Sequence, residues 1–147
     1  MVNFNKLIRE NVMSAKIGCA GLGLVAMSSA FGTTDNCDGV SVAATKERRQ
    51  EYAQLVVSAI SSKVKPAEVK FHGIMESGPW SAAYVSTPVA DDGVLFFQRI
   101  GDERRFREAW GGWADPSERP ELIAWAIALG APHDLAKCFA DTVTSGR

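Results

Sequence analysis

The chain has 147 residues, 46% hydrophobic and 22% charged, with 16 basic residues against 17 acidic ones. One domain of this size is expected, and the apolar content and balanced charge exclude a disordered chain or a general nucleic-acid binder. Three cysteines are too few for a disulfide-dense mini-protein or a four-cysteine zinc ribbon.

The N-terminus reads as an address. Lys6, Arg9 and Lys16 make a basic leader, and Ile17–Met27 then runs without a charge. Ser28-Ser29-Ala30 places small residues at positions −3 and −1 of a cleavage after Ala30. A basic region, a short apolar stretch and a small-residue exit are the parts of a secretory signal peptide. The apolar run is shorter than the ~20 residues a spanning helix needs. Cys19 lies near the start of that run, where a lipidated cysteine does not belong. The reading is therefore residues 1–30 as signal peptide and 31–147 as one mature domain. Removing the leader leaves 13 basic and 16 acidic residues. Localisation is read as exported: periplasm, cell envelope or extracellular space.

The mature chain keeps two cysteines, Cys37 and Cys138, and an even pair in an exported protein is most simply one disulfide. The rival is a pair of free thiols, but no CxxC motif accompanies either one.

Residues 31–40 read as a tethered coil. The first helix is expected from about Ser41 to Val64. Tyr52, Leu55, Val56, Ala59 and Ile60 form its apolar stripe, and Pro66 ends it. Glu68–Met75 is a strand candidate, followed by Ser77-Gly78-Pro79 as a turn. Trp80–Thr87 is the second strand. Pro88 and Asp91-Asp92-Gly93 are read as the next turn, with Asp-Gly as the hairpin cue. Val94–Ile100 is a third strand, whose continuous apolar part suggests a central place. Arg105–Trp110 is a weaker fourth strand, with Phe106 and Trp110 on one side. A helix from about Pro120 to Leu129 stops at Gly130, and a last short helix follows Pro132. The fold class expected is α+β. A long N-terminal helix packs on a three- to four-stranded antiparallel sheet with one face covered by helices, and two short C-terminal helices follow.

ESGPWSAAYVSTP, then GVLFFQR, RFREAWGG and LGAPHDLAKC, resemble small exported actinobacterial proteins of unknown function. In those, a G-x-W-x-x-A strand and a β-meander precede a helical tail carrying a cysteine. The resemblance covers about Gly73 to Cys138. It implies export and the α+β fold, and carries no activity.

No catalytic, metal or cofactor constellation stands out. His72 and His133 are read as surface histidines, and no set of ligands or acid–base partners surrounds them in sequence. Ser77 is not in a nucleophile elbow. The most suggestive segment holds Arg104, Arg105, Arg107, Trp110 and Trp113. Arg and Trp are over-represented at interface hot spots; the alternative is a solvated edge strand with Trp110 in the core. The expectation is a non-catalytic exported binding protein, an accessory subunit or partner of a cell-envelope complex. The alternative is a carrier of a lipid or small apolar ligand, held between Phe71, Tyr84, Phe96 and Trp125. A small hydrolase using His72 is the third reading.

Overall fold

The computed structural model describes residues 37–60 and 63–145. The expected signal peptide and most of the coil before the first helix lie outside the described residues.

The chain is α+β. Helix α1 (Lys46–Ile60) is followed by strands β1 (Lys70–Ser77), β2 (Trp80–Thr87), β3 (Ala90–Ile100) and β4 (Glu103–Gly111). Helices α2 (Arg119–Leu129) and α3 (His133–Thr144) complete it. The sheet is an antiparallel meander in the order β1-β2-β3-β4. Among the described residues no helix is long and apolar enough to cross a membrane.

Helix α1 is shorter than the apolar stripe suggested. Ser41 pairs instead with Glu76 as an isolated antiparallel bridge, with N–H to O distances of 2.8 and 2.9 Å. The Thr45 hydroxyl accepts from the Arg48 amide, which caps the helix one residue before Lys46. Residues 41–45 thus form a strap across the edge of β1.

Helices cover both faces of the sheet, not one. Side chains alternate across a strand, and both sets here are apolar. Ile74, Ala83, Val85, Leu95 and Phe97 pack under Tyr52, Val56 and Ile60 of α1. Met75, Trp80, Ala82, Val94 and Phe96 pack against Leu122, Ala126, Leu135 and Phe139 of α2 and α3. The unbroken apolar run of β3 follows from this double burial. Phe139 sits at the centre of the second layer, with ring centroids 5.1 Å from Phe96, 5.6 Å from Trp110 and 5.9 Å from Trp125.

The turns are tight. Gly78-Pro79 and Gly101-Asp102 each join two strands, with Gly78 and Gly101 at positive φ. The β2–β3 connection is Pro88-Val89, not Asp91-Asp92-Gly93, which lies inside β3. An Asp-Gly pair supplies turn geometry only where the register closes, and here Thr87 already faces Ala90.

Cys37 and Cys138 are disulfide-bonded, with Cα atoms 4.5 Å apart and a sequence separation of 101. Cys138 is fully buried on α3. The bond pins the start of the strap to the helical layer, and it is the pairing that the cysteine count led to expect. The Ser77 hydroxyl adds a second tie by donating to Asp134 of α3 at 2.7 Å.

Candidate contact surface

The Arg/Trp segment falls on β4 and its exit, and a bulge decides where each side chain goes. The β3–β4 register slips between Phe96–Glu108 and Phe97–Phe106, leaving Arg107 as the extra residue. A bulge reverses the facing of the residues beyond it. Phe106 therefore packs on the α1 side and Trp110 on the α2/α3 side, although the sequence periodicity placed them together.

Arg104 is not a surface contact. It shares the Phe106 face, and its side chain is only 11% exposed. Its guanidinium lies 5.1 Å from the centre of the Tyr52 ring. It donates to Glu76 at 3.0 Å, to Glu51 at 2.9 Å and to Ser81 at 3.3 Å. Glu76, 15% exposed, also accepts from Arg48 at 2.5 Å and from the Tyr52 hydroxyl at 2.6 Å. The expected strand stops at Met75, but β1 runs on to Ser77, and Glu76 within it ties the strap, α1 and β4 together. Burial, then the Glu76 acceptor, push the Tyr52 phenol well above its ordinary value.

Trp110 is half-buried, packed edge-on against Phe139 on the α2/α3 side. Arg105 is 60% exposed and faces Glu103 at 3.4 Å, a surface pair of little weight. Arg107 lies 5.7 Å over the Trp80 ring. Trp113 is 72% exposed. It stands between Gly112, at φ +123 with its amide bonded to Asp92 O at 3.3 Å, and Ala114, which is buried in the α2/α3 layer. The indole is thus held out by a loop anchored on both sides. Of the five expected contacts, the fold leaves Arg105, Arg107 and Trp113 at the surface.

The pocket expected between Phe71, Tyr84, Phe96 and Trp125 does not form. Phe71 packs on the α1 side, whereas the other three belong to the opposite layer. Phe96 and Trp125 are closed on each other, with centroids 5.6 Å apart.

His72 has neighbours that sequence did not supply. It is the extra residue of a bulge in β1. Its Nε2 lies 3.0 Å from Ser86 Oγ and 3.5 Å from Asp92 Oδ1, and its ring lies tilted against that of Tyr84, with centroids 5.0 Å apart. A serine–histidine–aspartate triad needs the serine and the aspartate on opposite ring nitrogens. Here both address Nε2, so the carboxylate competes with the hydroxyl and does not orient the base. His133 starts α3. Among the described residues no three His, Cys, Asp or Glu side chains converge as a metal site.

Compared with known proteins, the chain matches no family model, no curated protein and no solved structure.

Proposed function

We propose that this chain is a non-catalytic exported binding protein, an accessory subunit or partner within a cell-envelope complex, and a relative of the small exported actinobacterial proteins it resembles. The observation that carries the reading is Trp113, 72% exposed beside a closed core just beyond the last strand of the sheet, a strand that also leaves Arg105 and Arg107 at the surface. A large indole held in water by an anchored loop gains most when a partner covers it, and Trp and Arg are both enriched at hot spots. The disulfide supports export, because such bonds persist in oxidising compartments. The basic and apolar leader points the same way.

The test is capture from the native envelope. The C-terminally tagged protein is expressed in its host, the envelope is gently solubilised, and near-stoichiometric partners are identified. Trp113→Ala and Arg107→Ala should each weaken capture at least about tenfold, the scale of a hot-spot truncation, with the circular dichroism spectrum unchanged. Equal capture by both variants overturns the assignment of this surface.

A further inference from the structure

The opposite edge of the sheet carries a second feature. A groove of about 810 Å3 runs between the N-terminal half of α1, the Pro66–Glu68 turn and the start of β1. Its floor is apolar, made by Ala53, Val69 and Phe71. Lys46, Arg49 and Lys70 stand around it, and no carboxylate among the described residues lines it. None of these three side chains has an ion-pair or hydrogen-bond partner among the described residues. Three unpaired cations are a local departure in a chain whose net charge is −1.

The backbone beside the groove is also unused. Among the described residues β1 is an edge strand, and its outer side is paired only where Ser41 meets Glu76. From Lys70 to Met75 no further strand covers it among the described residues. An open edge templates an added strand. The Ser41 strap shows the geometry at one end, since this edge already accepts an antiparallel partner there.

We infer that the groove binds an extended acidic peptide segment of a partner protein, added as an antiparallel strand to the outer edge of β1. About six residues fill the edge between Lys70 and Met75 at roughly 3.3 Å per residue. Alternate side chains rest on Ala53, Val69 and Phe71, while carboxylates meet Lys46, Arg49 and Lys70. Gln50 and Gln54 on the rim offer amide donors and acceptors to the added backbone. The trough is open along its length and edged by amides, which suits a polypeptide better than an aliphatic chain. The site lies across the sheet from Trp113, so it stands or falls separately from the envelope-contact reading.

The probe is a fluorescein-labelled hexapeptide alternating valine and glutamate, measured by fluorescence anisotropy against the full disulfide-bonded protein at low salt. Two controls accompany it: the valine–lysine counterpart, and a valine–glutamate copy N-methylated at alternate amides. The acidic peptide should bind at least about tenfold tighter than either control. Lys46→Glu combined with Arg49→Glu and Lys70→Glu should weaken it by about tenfold or more, the sum of three modest surface charge contacts. If the triple variant does not fold, Arg49→Glu and Lys70→Glu are tested singly for a proportionate loss. Trp113→Ala should leave this affinity unchanged. The inference is overturned if the acidic peptide does not bind or if the lysine peptide binds as tightly. It is equally overturned if N-methylation is without effect, if the folded charge-reversed variant keeps its affinity, or if dodecanoate binds where the peptide does not.

Discussion

Replacing Glu76 with glutamine tests how the two halves of the α1 layer are joined. The carboxylate is 15% exposed and accepts from Arg48, Tyr52 and Arg104. Glutamine keeps one acceptor oxygen and the shape, but turns the other oxygen into a donor and removes the charge. Arg104, 11% exposed, then retains only Glu51 as an anion among the described residues. A hydrogen bond to a charged group contributes about 1.5–3 kcal/mol, and removing one partner of a buried pair costs about 3–5 kcal/mol. Arg48 is partly solvated, which lowers its share. Glu76→Gln should therefore cost about 2–3 kcal/mol in urea unfolding at neutral pH, against a total of about 5–15 kcal/mol for a domain of this kind. Glu51→Gln is the control: it touches the same arginine from a half-exposed position, and should cost about 0.5 kcal/mol or less. A double-mutant cycle of Glu76→Gln with Tyr52→Phe should show a coupling of about 1 kcal/mol. If Glu76→Gln costs no more than Glu51→Gln, the network is not what holds α1 to the sheet.

Single features set the other expected outcomes. Replacing Cys37 and Cys138 together with alanine removes a cross-link spanning 101 residues, worth up to ~4.7 kcal/mol in the chain-entropy description; the urea midpoint should fall sharply, and a loss below about 1 kcal/mol would sink that estimate. Gly130 ends α2 at φ +107, and a Cβ there would stand 3.2 Å from the Trp80 ring. Gly130→Ala should therefore cost about 1–2 kcal/mol by thermal unfolding, and an unchanged melting temperature would refute it. Because the Tyr52 pKa is raised on folding, its contribution is complete below the ordinary phenol value of about 10. It is lost as pH rises from there towards the folded value. Stability should decline above about pH 10, and Tyr52→Phe should flatten that decline. The Asp115 carboxylate is held below its usual range by the Ser117 amide and then the Ser117 hydroxyl. Its cap on the Pro116–Glu118 turn is thus present above about pH 4 and lost as pH falls through the folded value, which amide exchange at Ser117 would report.

What local chemistry dictates was legible in the chain. Trp80–Thr87 is the second strand to the residue, since aromatic and β-branched residues there lie between two turn signals. Leu129-Gly130 ends α2, because only glycine takes the left-handed cap without strain. The disulfide followed from the cysteine count, read with the expectation that residues 1–30 are a leader. Tertiary packing decided the rest. Helices on both sheet faces could not be read from strand periodicity, because alternation disappears when both faces are apolar. Bulges at His72 and Arg107 reverse which side chains share a face, and a bulge has no compositional mark in either strand. That reversal separates Phe106 from Trp110, and the fold turns Arg104 inward onto Tyr52 and leaves Trp113 in water. Lys46 and Arg49 carry a faint signal, three residues apart on one helix face. Lys70 joins them only because the sheet edge runs beneath α1. Residue type and spacing determine which elements form; the pairing of those elements determines which charges are spent inside and which remain to meet a partner.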